Sequence, residues 1–80
     1  MDDVESRIKA VIAEQLGVPI SDVLSSQTLQ SLGADSLDNV EIFMSLEENL
    51  GVTISEEQAE KLVTISQIVI FFDEILKNYL

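Results

Sequence analysis

Apolar residues recur at helical spacing from the start of the chain. Val4, Ile8, Val11, Ile12 and Leu16 form one stripe, the i, i+3, i+4 signature of an amphipathic helix. The pattern predicts a first helix over about 3–16. Asp2 and Glu5, three apart, supply its cap signal, and Gly17 with Pro19 its stop. A long irregular stretch follows, 17–35. It is too apolar for a linker: Val18, Ile20, Val23, Leu24, Leu29 and Leu32 punctuate it. These side chains are expected to pin the loop to the core, with one helical turn near 21–24.

A second helix is expected over 36–50, with Asp35 as N-cap and Gly51 as the stop. Ser55 and Gln58 form a capping box for a short third helix over 56–61. Thr64 and Gln67 form another for a fourth over about 65–78, whose buried face would carry Ile65, Ile68, Val69, Phe72, Ile75, Leu76 and Tyr79. Ile70 projects from its polar side. The sum is an all-α fold in a single domain, a small four-helix bundle with a long loop between helices 1 and 2.

Charge narrows what such a bundle can do. Fifteen Asp and Glu against four Lys and Arg leave a net charge of −11 in 80 residues. From Ala10 through Glu60 there are ten carboxylates and no basic residue. Nucleic acid and anionic membrane surfaces would be repelled, whereas basic partners would be attracted and their encounter speeded. Self-repulsion makes folding marginal at low salt. With 46% hydrophobic residues the chain still has the means to fold. It has no Cys and no His, which removes a thiol nucleophile, the usual general base and the usual zinc ligand. No apolar run reaches membrane-spanning length, and the start Met1-Asp2-Asp3 is unlike a signal peptide.

The candidate chemistry sits at Gly33-Ala34-Asp35-Ser36-Leu37. Gly33 permits a turn that a Cβ would resist, and Ser36 lands on the first turn of the second helix with its hydroxyl outward. Spacing alone leaves two readings: an ordinary serine at a helix start, or an accessible modification site. Asp35 and Asp38 make the surroundings negative, which disfavours capture of free anions and suits a covalent phosphodiester installed by a basic enzyme. Ser36 has no base of its own in this chain. Along the second helix Ile42, Phe43, Leu46 and Leu50 share a core side, and Asp38, Glu41, Ser45 and Glu48 the opposite one. Val40 turns inward. Leu37 and Met44 fall at the border, either as the edge of the core or as an apolar pair rimmed by carboxylates for docking a basic partner. Asp35, Asp38 and Asn39 lack the order of a calcium loop. Glu47, Glu48, Glu56, Glu57 and Glu60 read as a solvated acidic face.

Leu32-Gly33-Ala34-Asp35-Ser36-Leu37-Asp38 with Val40-Glu41 resembles the phosphopantetheine attachment motif of acyl carrier proteins. Met44, Leu46-Glu47-Glu48, Gly51-Val52-Thr53-Ile54 and Glu57-Gln58-Ala59-Glu60-Lys61 are similar to the second and third helices of that family, and Val4 through Leu16, then Gly17-Val18 and Ser21, to its first helix and loop. The resemblance implies that Ser36 receives a phosphopantetheine arm from coenzyme A through a holo-synthase, and that the arm's thiol holds acyl groups as thioesters. It implies a carrier, not an enzyme. Asp35, Leu37, Asp38, Val40, Glu41, Met44 and Glu48 would form the surface read by basic patches on ketoacyl synthases, reductases, dehydratases and acyltransferases. Phe43, Leu46, Ile54, Ala59, Leu62, Ile68 and Phe72 would line an interior that opens for the acyl chain. Asn39 stands where Thr or Ser is commoner. Phe43 and the pair Phe71-Phe72 are bulkier than the residues typical there.

Glu41, Glu47 and Glu48 after the motif favour a carrier of dissociated fatty acid synthesis over polyketide, peptide or alanine carriers. A monomer is expected, in the bacterial cytoplasm or in an organelle interior after removal of a targeting segment. The competing reading is an acidic adaptor that docks a basic partner without any cofactor.

Overall fold

A computed structural model describes residues 3–78. It is all-α among those residues: α1 (Val4–Leu16), α2 (Ser36–Leu50), α3 (Glu56–Glu60) and α4 (Ile65–Asn78), with one 3₁₀ turn at Ile20–Asp22. Asp2 and Tyr79 lie outside the described residues. The cap of α1 is Asp3, not Asp2: its carboxylate accepts from the Ser6 N–H at 2.7 Å. That backbone hydrogen bond is the main cause holding the Asp3 carboxyl below its ordinary 3.8. The cap therefore contributes fully above that unfolded value and is lost as pH falls through the lower folded one.

Helix ends follow local chemistry. Both α1 and α2 end on a left-handed glycine, Gly17 at φ 68° and Gly51 at φ 72°. Ser55 and Gln58 exchange both capping bonds at α3, and Thr64 and Gln67 do so at α4. Lys61 closes α3.

Packing is organised around α1, which lies against α2, α4 and the 3₁₀ turn. Its Ile8, Ile12 and Ala13 join Ile42, Phe43, Leu46 and Leu50 of α2, Ile65, Ile68 and Phe72 of α4, and Val23, Leu29 and Val52 in one core. Val69, Ile75 and Leu76 pack partly buried at its edge. Polar bonds lock the α1–α2 seam. The Arg7 guanidinium donates to the Asn49 carbonyl at 2.8 Å and to its side chain at 3.0 Å. Gln15 Nε2 donates to Glu41 Oε2 at 2.8 Å.

The long connection is pinned, though not by every apolar residue in it. Val23 and Leu29 are buried and Val18 and Leu32 half-buried, but Ile20 and Leu24 face solvent. Their anchoring role is replaced by backbone bonds: the N–H groups of Ile65 and Ser66 donate to the carbonyls of Gln27 and Ser25 at 2.9 and 3.0 Å. The loop is thereby tied to the start of α4. Ser31 and Thr28 exchange side-chain to backbone bonds that close the following turn.

Candidate functional site

The turn that ends at Ser36 is held from behind. Ala34 N–H donates to the Leu29 carbonyl at 3.0 Å, and Gly33 takes φ 98°, a conformation an L side chain resists. Asp35 caps α2 by accepting from the Asp38 N–H at 2.8 Å, while Asp38 accepts from the Asp35 N–H at 3.1 Å. This reciprocal box has a sequence signature, an acidic residue three beyond the N-cap, that the reading of Asp35 as a lone cap missed. It also engages both carboxylates locally, although Asp35 stays exposed and Asp38 half-buried. Ser36 opens the helix, exposed, one position past the cap.

From Ser36 an α2 stripe runs Asn39, Val40, Phe43, Met44 and Glu47, at i+3, i+4, i+7, i+8 and i+11. It forms one wall of a groove of about 590 Å³. Ile54, Ala59, Leu62 and Val63 from α3 and its flanks form the facing wall, with Thr28, Leu29 and Gln30 at the end. That volume is in the range of small-molecule sites. Of the residues the resemblance marks for an acyl pocket, Phe43, Ile54, Ala59 and Leu62 are here together. Leu46, Ile68 and Phe72 are not: they are wholly buried in the core. They belong to the core cluster shared with α1 and do not line the groove.

Leu37, Val40 and Met44 lie on the surface of α2. They are 65%, 55% and 60% exposed, spaced i, i+3, i+7 along one stripe, with Val63 also exposed at 54%. The inward turn expected for Val40 is corrected: more than half of its surface is exposed. Leu37 and Met44 are surface, not core. Glu41 and Glu48 are exposed beside them.

Glu47 departs from the solvated face expected of it. Half-buried, its Oε2 accepts from the Ile54 N–H at 2.9 Å, seven residues on. That bond ties the strap before α3 to α2 and so sets the width of the groove. Glu47→Ala is expected to cost about 1 kcal/mol, and Glu47→Gln, which keeps an acceptor, less. Urea midpoints check this; equal midpoints for all three proteins would show that the bond contributes nothing.

A flexible, mixed-polarity chain esterified to Ser36 suits these walls. The groove begins at the exposed Ser36 and is mostly apolar. The chain has neither His nor Cys, so the groove holds no Ser-His or Cys-His pair. Residues 6–72 match the family described as phosphopantetheine attachment site.

The chain belongs to that family. It is a carrier protein, and its cofactor is covalently attached phosphopantetheine. Solved structures agree in fold. The acyl carrier protein from Enterococcus faecalis matches with 26% identity and TM-score 0.75, over 89% of this chain and 91% of that one. An HMG-ACPI domain from the CurA module of Lyngbya majuscula matches with TM-score 0.84 over 95% of this chain and 77% of that one, at 20% identity. The second likeness concerns the fold alone. Carriers of this family work with synthases and modifying enzymes and are in general not catalysts themselves.

Proposed function

We propose that this carrier holds growing fatty acyl chains on a phosphopantetheine arm at Ser36 and delivers them to the separate enzymes of a dissociated fatty acid synthesis. The observation that carries the reading is the position of Ser36. It is an exposed hydroxyl on the first turn of a doubly capped helix, at the mouth of a groove and the head of the exposed Leu37, Val40 and Met44 stripe. When bound, the arm supplies a thiol that holds an acyl group as a thioester.

The chain's own part is to present and to shield. Asp35 and Asp38 hold the first turn so that the Ser36 oxygen faces a docking enzyme. That enzyme removes the hydroxyl proton while the oxygen attacks the phosphorus bearing pantetheine, and adenosine bisphosphate leaves coenzyme A. Met44, Val40 and Leu37 offer apolar contact, and Glu41 and Glu48 meet basic patches on the holo-synthase, ketoacyl synthases, reductases, dehydratases and acyltransferases. Phe43, Ile54, Ala59 and Leu62 cover the proximal acyl chain. Leu46, Ile68 and Phe72 would be reached only by a chain that parts the core. Glu41 and Glu48 support a fatty acid carrier over one for polyketides; Glu47, committed to Ile54, no longer speaks for either. On this reading the carrier works in a bacterial cytoplasm or an organelle interior.

Intact mass after incubation with coenzyme A, magnesium and a promiscuous phosphopantetheinyl transferase tests the attachment. One addition is expected, and none with Ser36→Ala. A folded chain that takes up nothing would instead be a cofactor-free acidic adaptor.

A further inference from the structure

A second cleft lies on the seam between α1 and α2 and shares no lining residue with the groove. The two helices run antiparallel, and every fourth residue of each meets in a ladder: Arg7 with Asn49, Val11 with Ser45, Gln15 with Glu41. Hydrogen bonds close the two outer rungs, from Arg7 to Asn49 and from Gln15 to Glu41. The middle rung pairs two short side chains. There the seam opens into a space of about 370 Å³ lined by Val11, Glu14, Gln15, Ser45 and Asn49.

The chemistry of this cleft is one-sided. Val11, half-buried against the core, gives it an apolar wall. A carboxylate only accepts, so Gln15 turns its Nε2 to Glu41 and keeps its Oε1 as an acceptor. Glu14 is exposed beside it. The cations of α1 are engaged elsewhere: Lys9 pairs with Glu5 at 2.8 Å, and Arg7 is bonded to Asn49, about 12 Å along the helix from Gln15. The Gln15 end of the cleft thus offers acceptors and negative charge that no cation of α1 or α2 meets.

We propose that this cleft extends the docking face onto α1 and receives an arginine side chain of the enzyme that loads Ser36. The aliphatic stem lies along Val11 and Ser45, and the guanidinium donates to Gln15 Oε1 and to the Glu14 carboxylate. Arginine suits the site better than lysine, because its planar fork serves two acceptors at once and is less strongly hydrated. Position favours the same partner. Glu41, at the end of the cleft, is five residues along α2 from Ser36, about 7.5 Å along the axis, so one bound enzyme spans both. The inference rests on Ser36 being the attachment residue. It gives roles to Glu14, Gln15 and Ser45, none of which lies on the Leu37, Val40 and Met44 stripe.

The test measures phosphopantetheinyl transfer to wild type, Ser45→Leu, Ser45→Ala and Glu14→Gln, using a transferase that loads the wild type. Ser45→Leu fills the middle rung without changing charge. It should raise KM about tenfold at unchanged kcat, the loss of one charge-assisted contact. Ser45→Ala keeps the space open and should match wild type. Glu14→Gln removes one charge and should raise KM about threefold. Surface arginines and lysines of the transferase are then replaced by Ala one at a time. With one arginine replaced, wild type and Ser45→Leu should share the same KM, because the contact is already gone. An unchanged KM in Ser45→Leu or in Glu14→Gln overturns the proposal, and so does an equal loss in Ser45→Ala. A cycle that closes on a lysine, or on no residue, overturns it too. Each of these results leaves the carrier reading intact, since wild type is loaded; failure to load wild type overturns both. If Ser45→Leu melts well below wild type, Glu14→Gln, exposed on α1, decides through the same cycle.

Discussion

Phe72→Ala is expected to remove about 3–5 kcal/mol of folding stability, which is comparable to everything a core of this size supplies. Phe72 is wholly buried, packs edge-on to Phe71 with ring centroids 5.5 Å apart, and belongs to the cluster that joins α4 to α1 and α2. Truncation leaves a cavity closed on every side, and the helices cannot collapse onto it without losing contact elsewhere. Far-UV circular dichroism at room temperature should show a largely unfolded population at low salt, where the net charge of −11 adds its own repulsion. Phe43→Ala makes the informative contrast. Phe43 is also buried, but it lines the groove. Neighbours can relax into that space, so the cost should be about half as large. Equal losses at the two positions would mean that the groove is as tightly filled as the core.

That contrast also shows what the sequence could reveal and what it could not. The ends of the helices were legible, because a cap or a stop is decided within four residues: Asp35 before Ser36, Ser55 with Gln58, Thr64 with Gln67, Gly51 after Leu50. Where two adjacent residues satisfy the same rule, as Asp2 and Asp3 do, the pattern has no means to choose, and the donor at Ser6 N–H chose Asp3. The motif around Ser36 was legible because attachment chemistry needs an exposed hydroxyl at a helix start.

Angles around α2 were less so. A helical wheel places Val40 next to the core residues but is silent about which neighbours exist to cover it. With α1 on one side and a short α3 on the other, Val40 is left in the open. Ile20 and Leu24 misled for a related reason: apolar character signals burial on average, yet this loop is held by backbone bonds to Ile65 and Ser66. The Glu47 bond to Ile54 crosses a turn and has no periodic signal.

Glu48→Lys is expected to slow docking of a basic partner, measured as phosphopantetheinyl transfer to Ser36 under limiting enzyme, by about tenfold at low salt, with a flatter dependence on ionic strength. Glu48 is exposed beside Met44, so the reversal replaces attraction by repulsion at the edge of the apolar stripe. It is a cleaner test than Glu41→Lys, because Glu41 Oε2 accepts from Gln15 at 2.8 Å and its loss would also loosen the α1–α2 seam. Met44→Ala should behave differently. It removes contact area without changing charge, so the complex should form at an unchanged rate and dissociate faster, at any salt. A charge reversal that acts mainly through dissociation would place Glu48 inside a dry contact. An unchanged rate in Glu48→Lys would move the docking face off this edge of α2 altogether. The split between the two variants separates what brings the partner to Ser36 from what keeps it there.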